Sequence, residues 1–173
     1  KTLNFSTQKT MSVAQQLYEG VDIKGSGTVA LISYLRTDST RVSEEAAKAA
    51  HEYIASNYGE NYTSKGQSAK TSGKKIQDAH EAIRPTDLSR TPAAVKDSLT
   101  REQFRLYQLI WKRFVASRME TARYETMSVR IRGGEYYFHV SASRVKFDGF
   151  LSVYVQEEDE KKDNHTQLKG IEK

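Results

Sequence analysis

The chain has 173 residues, 37% of them hydrophobic, with 27 basic side chains against 22 acidic ones and no cysteine. That length suits one ordinary domain, or one domain with part of a second, and the cysteine count excludes disulfides, zinc–thiolate sites and a cysteine nucleophile. The longest apolar run, Val29-Ala30-Leu31-Ile32, is far too short for a membrane span, and residue 1 opens a polar stretch rather than a secretory signal.

In chain order, Met11, Ala14, Leu17 and Tyr18 share one helical face, and Gly20 is placed to close that helix. Residues 24–28 read as a flexible connection. Val29 to Leu35 is apolar and fits either a short buried strand or the start of a helix, since periodicity does not separate the two. Ser43 is a predicted N-cap with Glu44 and Glu45 in the first turn, where the helix dipole favours anions. Ala46, Ala47, Ala50, Ile54 and Tyr58 form the inner stripe and Gly59 the stop. Residues 61–78 carry almost no apolar side chain and four lysines, a length of unpatterned chain that is usually functional or disordered. Thr91-Pro92 predicts a capped helix start, and Thr100 with Gln103 a capping box. The strongest helix follows, with Phe104, Tyr107, Ile110, Trp111, Phe114 and Val115 recurring at three and four residues.

Beyond it the period changes to two. Met127, Val129 and Ile131 alternate with polar residues, Gly133-Gly134 marks a turn, and Tyr136, Phe138 and Val140 alternate again, which predicts a hairpin. Phe147 to Val155 suggests one further strand. The fold class expected is therefore α+β: a mainly helical domain over 1–125, β-strands over 126–155, and an acidic tail over 156–173. That tail holds six acids and four lysines, which leaves 23 basic and 16 acidic groups before it, a net of +7. A basic body of this kind suits a polyanionic partner such as nucleic acid, and equally an ordinary soluble surface.

Two strings could carry chemistry. Ser33-Tyr34-Leu35-Arg36-Thr37-Asp38-Ser39-Thr40 packs a phenol, a guanidinium, a carboxylate and four aliphatic hydroxyls into eight residues directly after an apolar run. A phenol ordinarily titrates near about 10, so a nucleophilic Tyr34 needs help, and Arg36 could both favour the phenolate and hold phosphate oxygens. The second string is His80-Glu81-Ala82-Ile83-Arg84-Pro85. In a helical or turn conformation His80 and Arg84 face the same way and could donate to a phosphate; an Arg–Glu pair that merely holds a loop explains the same residues. The four histidines are scattered and no carboxylate cluster outside the tail suits magnesium, so no metal site is expected in this chain. Tyr136-Tyr137-Phe138 could stack on bases, although strand alternation explains it as well.

At these strings the sequence resembles the bacterial type IA DNA topoisomerases. The family's tyrosine motif corresponds to Ile32-Ser33-Tyr34-Leu35-Arg36-Thr37-Asp38-Ser39-Thr40, and its second motif to Ala79-His80-Glu81-Ala82-Ile83-Arg84-Pro85-Thr86-Asp87. Shorter matches are Lys9-Thr10-Met11, Ala14-Gln15-Gln16-Leu17-Tyr18-Glu19, Leu106 to Trp111 and Phe147-Asp148-Gly149. The resemblance runs over residues 3 to 155.

The resemblance implies that Tyr34 attacks a phosphodiester of single-stranded DNA to form a 5′-phosphotyrosine link, with Arg36 on the scissile phosphate. His80, Glu81, Arg84, Asp38 and Ser39 would bind DNA or support the site. It implies relaxation of negatively supercoiled DNA without ATP, in a monomeric, cytoplasmic, nucleoid-associated enzyme. The family's Toprim domain, which binds the Mg²⁺ the parent requires, and its zinc-ribbon tail have no counterpart here. The expectation is thus an excised, inactive piece: the tyrosine domain plus strands of the neighbouring arch domain, working with the remaining domains of the parent. Two rivals stand beside it. Tyrosine recombinases and type IB enzymes place an H-x-x-R pair upstream of their tyrosine, whereas here the tyrosine comes first and the pair is H-x-x-x-R. A non-catalytic DNA-binding module would need only the basic surface.

Overall fold

The computed structural model describes residues 2–64 and 80–155. The acidic tail and most of the lysine-rich stretch expected at 61–78 therefore lie outside the described residues.

Helix α1 (Thr7–Glu19) starts where the Ser6 hydroxyl accepts from the Lys9 amide and stops at Gly20. A small antiparallel hairpin follows, β1 (Val21–Ile23) against β2 (Gly27–Val29), so residues 24–28 form a turn and part of a strand rather than a loose link. Helix α2 (Glu44–Tyr58) is capped by the Ser43 hydroxyl on the Ala46 amide and closed by Gly59. The short α3 (Pro92–Val95) begins at a capping Thr91 with proline in its first turn. Helix α4 (Arg101–Ser117) carries the complete Thr100–Gln103 capping box, both reciprocal bonds being formed. Gln103 also donates from Nε2 to Gln16 Oε1 at 2.9 Å, tying α4 to α1. No described helix is long and apolar enough to cross a membrane.

The core lies between α1, α2, α4 and the chain segment around residues 31–32. Leu17, Leu31, Ile54, Tyr107 and Val115 are fully buried there. Of the face expected on α1, Ala14 and Leu17 are buried and Tyr18 packs against the core, but Met11 is exposed and Val13 is buried in the first half of the helix. Burial pushes the Tyr107 phenol far up, and its hydroxyl stays neutral and donates to the Arg90 carbonyl at 2.6 Å. The single tryptophan, Trp111, sits edge-on to Tyr53 of α2 at 5.6 Å and points its Nε1 at the Leu88 carbonyl, 3.4 Å away. One side chain of α4 thereby touches both α2 and the segment after residue 85.

The β segment is a two-stranded ribbon, β3 (Arg123–Gly133) paired antiparallel with β4 (Tyr136–Phe147). It turns at Gly134-Glu135, one residue later than the Gly133-Gly134 turn the sequence suggests; Gly134 has φ +64°, the left-handed conformation such tight hairpins demand at their first central position. Directly opposed residues share a face, so Met127, Val129, Ile131, Phe138 and Val140 form one apolar face, and Ser128, Arg130, Arg132, Tyr137 and His139 form the other. Both faces are solvent-exposed along nearly their whole length.

The further strand expected after Phe147 does not form. Residues Gly149–Ser152 make a 3₁₀ turn that folds back onto the end of α4, with Phe150 donating to the Glu120 carbonyl at 3.0 Å. Tyr62 closes this base: its ring lies 4.8 Å from that of Phe147 and its hydroxyl donates to Asp148 at 2.7 Å, which raises the phenol's pKa. Gly149 adopts φ +49° and is buried against residues 120–121, where a Cβ would collide with the Glu120 carbonyl and come within 2.8 Å of Thr121. Gly149→Ala is therefore expected to lower unfolding stability by at least about 1 kcal/mol in urea titrations, since the strained backbone and the collision act together.

Candidate active site

Residues 30–41 follow β2 as irregular extended chain, neither the helix nor the regular strand that the run Val29–Leu35 allows. What holds this segment is the second motif, laid antiparallel beside it. Ile32 pairs with Pro85 in an isolated bridge, the Ser33 amide donates to the Arg84 carbonyl at 2.8 Å, and the Thr86 amide donates to the Leu31 carbonyl at 3.1 Å. Ser33 adds two hydrogen bonds through its side chain: Oγ donates to the Ala82 carbonyl at 2.9 Å and accepts from the Arg84 amide at 2.9 Å. Further along, the Ala82 amide donates to the Arg41 carbonyl at 2.8 Å. From the other side Leu31 donates to the Leu17 carbonyl at 2.8 Å, which ties the segment to the last turn of α1. Leu31 and Ile32 plug into the core, so the next residues emerge at the surface.

Tyr34 is the first large side chain to emerge and is 56% exposed. Its ring meets Tyr18 of α1 edge-to-face, with centroids 5.5 Å apart and planes at 62°, and it lies 6.3 Å from the His80 ring. One oxygen of the Asp38 carboxylate pairs with Arg36 Nε at 2.6 Å and lies 3.7 Å from His80 Nδ1. Tyr34, Arg36, Asp38 and His80 thus form one cluster, three from the first motif and one from the second. Ser39 is buried just behind it and accepts from the Arg41 amide, shaping the loop rather than facing outward.

Arg84 and Glu81 behave differently. Residues 80–84 are not helical, so the one-turn stacking of His80 and Arg84 that a helix would give does not arise. Its guanidinium is held by Glu81, with Nε and Nη2 both 3.0 Å from Oε2, and by the Pro85 carbonyl at 3.1 Å. It lines an open cleft of about 420 Å³ against α2, together with Tyr53, Asn57, Asp87 and Ser89. The reason is the extended backbone: the strand-like pairing with residues 31–33 removes the helical geometry that would have stacked positions 80 and 84. Sequence reasoning also overlooked two contributors, Ser33 as the pin between the motifs and Tyr18 as a ring partner of Tyr34. Tyr18 was hidden because it belongs to the apolar stripe of α1, and an apolar stripe reads as core.

Among the described residues no three carboxylate, imidazole or thiol groups converge to hold a metal ion.

Replacing Ser33 with alanine removes both side-chain bonds and leaves the Arg84 amide without that acceptor. The expected loss is about 1–2 kcal/mol in chemical denaturation, with faster amide exchange at Arg84 as the local signature. Asp87, in the same motif, is held below the ordinary carboxylate range chiefly by the Ser89 hydroxyl, then by the Ser89 amide and Arg90. A depressed carboxyl adds stability above its unfolded pKa and loses it as pH falls through its folded value. The stability difference between the parent chain and Asp87→Asn is accordingly expected to be largest near neutrality and to shrink below about pH 4, as followed by thermal melts.

The family model for DNA topoisomerase matches residues 1–173. Among solved structures, the chain is similar to full-length topoisomerase I from Thermotoga maritima, at 42% identity and a TM-score of 0.76. The match covers 90% of this chain and 24% of that one, so the chain spans about a quarter of the length of that relative. With the two motifs paired strand against strand and the tyrosine of the first presented at the surface, these matches agree with the resemblance in the sequence: the chain belongs to the bacterial type IA DNA topoisomerases.

Proposed function

We propose that Tyr34 is the nucleophile of a type IA topoisomerase and opens one strand of DNA by transesterification. The observation that carries this reading is the exposed Tyr34 ring in a cluster with Arg36, Asp38 and His80, drawn from both motifs. The phenolic oxygen forms a bond to phosphorus, the bond from phosphorus to the 3′ oxygen breaks, and the phenolic proton leaves as the departing strand gains its 3′-hydroxyl. The phosphodiester energy is kept in the 5′-phosphotyrosine link, so religation needs no ATP, and passage of another strand through the gap relaxes negative supercoils.

The pairing of Arg36 suits this role. Arg36 and Asp38 are both about half exposed, and such an ion pair is worth roughly 0–1 kcal/mol. A phosphate oxygen can therefore replace the Asp38 carboxylate on Arg36 at little cost, which turns a resting pair into a substrate contact. His80, reached by the same carboxylate oxygen, stands where it would donate to an adjoining phosphate. Glu81 and Arg84 support the strand that carries His80, and Ser39 supports the loop.

The two-faced ribbon belongs to the same reading. Its exposed apolar face, Met127 to Val140, fits strands of the arch domain whose cover is supplied by the rest of the parent enzyme, and its other face is polar and basic. Mg²⁺ belongs to that remainder, as do the groups that complete the site, so the 173-residue chain by itself is expected to be inactive. The parent acts as a monomer in the cytoplasm on single-stranded and negatively supercoiled DNA.

The decisive experiment is Tyr34→Phe in the full-length parent. Relaxation of supercoiled plasmid and denaturant-trapped covalent adducts are expected to disappear, while affinity for a single-stranded oligonucleotide stays within about twofold. A variant that still relaxes DNA removes Tyr34 from the chemistry and leaves the non-catalytic DNA-binding module as the better reading. An adduct formed by the isolated chain with Mg²⁺ would overturn the expectation that it is inactive.

A further inference from the structure

We infer that Tyr18 is a positioning residue for Tyr34: its ring, fixed at the end of α1, orients the tyrosine that would attack the phosphodiester. The inference rests on Tyr34 being the nucleophile, and its geometry stands independently of that role. Tyr34 leaves the core immediately after Ile32 and Ser33 and has more than half its surface in solvent. A phenol in that position turns freely about two side-chain torsions unless something packs against it. Among the described residues two rings meet it, His80 at 6.3 Å and Tyr18 at 5.5 Å. The Tyr18 contact has the edge-to-face geometry that aromatic pairs prefer at this separation.

Tyr18 is itself firmly seated. It packs against the core, and its neighbour Leu17 is fully buried. The Leu17 carbonyl accepts the Leu31 amide at 2.8 Å, three residues before Tyr34, so α1 and the nucleophile's own segment are locked in one register. Among the described residues the Tyr18 hydroxyl has no hydrogen-bond partner. The ring face and edge, rather than the hydroxyl, are what Tyr18 offers, and this yields a sharp distinction between phenylalanine and an aliphatic residue.

Two measurements test it. In the 173-residue chain with labelled tyrosines, the Tyr34 ring resonances are expected to carry a ring-current shift that persists in Tyr18→Phe and collapses in Tyr18→Leu. In the full-length parent, single-turnover cleavage of a 3′-labelled single-stranded oligonucleotide is expected to slow between about tenfold and a hundredfold in Tyr18→Leu, as misplaced reacting groups do. Tyr18→Phe restores the rate, and affinity for the uncleaved oligonucleotide stays within about threefold in both. The inference is overturned if Tyr18→Leu cleaves at the parental rate, if Tyr18→Phe is as slow as Tyr18→Leu, or if the Tyr34 resonances do not move. Should Tyr18→Leu lose its fold, shown by circular dichroism, Tyr18→Met takes its place under the same criteria. Adducts persisting in Tyr34→Phe would remove the nucleophile reading alone, since the resonance test concerns only how the Tyr34 ring is held.

Discussion

The site depends on one constraint, the pairing of residues 31–33 with residues 82–86. Neither string has a regular element of its own to sit on. Each satisfies the other's backbone groups, and Ser33 reinforces the pairing by donating to one strand position and accepting from another with a single hydroxyl. Because Leu31, Ile32 and Pro85 are buried at the same place, the pairing cannot slide without pulling apolar side chains out of the core. The register thus fixes which side chains emerge beside one another, and it brings His80 to Tyr34 although forty-six positions separate them.

Much of the helical scaffold is legible from the residues because it is governed by local rules. Ser43 with Gly59, and Thr100 with Gln103, bound α2 and α4 where capping chemistry places them. The ribbon is legible for the same reason, its period of two being visible from Met127 to Val140. The misses lie where distant contacts decide. Phe147 to Val155 alternates like a strand, but Gly149 must pack on residues 120–121, and that contact curls the chain into a 3₁₀ turn. His80 and Arg84 look like partners only if the backbone is helical, and whether it is depends on residues 31–33, some fifty positions away. The motif residues can be picked out in the sequence, and the Arg–Glu pair that holds the loop is one of the two readings it allows; the choice between that pair and a shared His80–Arg84 face needs the backbone.

The ribbon shows how a small sheet can be well paired yet incomplete. Its ladder of hydrogen bonds is continuous apart from one irregularity near Arg123 and Tyr124. Cross-strand partners add to it: Thr126 with Ser143 at 2.8 Å, and Arg144 with Glu125, whose carboxyl is held low by that guanidinium. Two strands nevertheless cannot bury a face against themselves. The apolar side is exposed while Arg130 and Arg132 flank the Tyr137 ring on the other, so each face presents a different chemistry to its surroundings.

Trp111 gives the molecule a built-in reporter. As the chain's single tryptophan, it alone dominates the intrinsic emission, and it is wedged between Tyr53 of α2 and the Leu88 carbonyl just beyond the second motif. Any event that loosens the 82–86 pairing tugs on the chain two residues from that carbonyl. Indole emission is sensitive to the polarity around its N–H, so the wavelength of a native side chain would follow the order of the paired segment that carries Tyr34 without a label on the tyrosine itself.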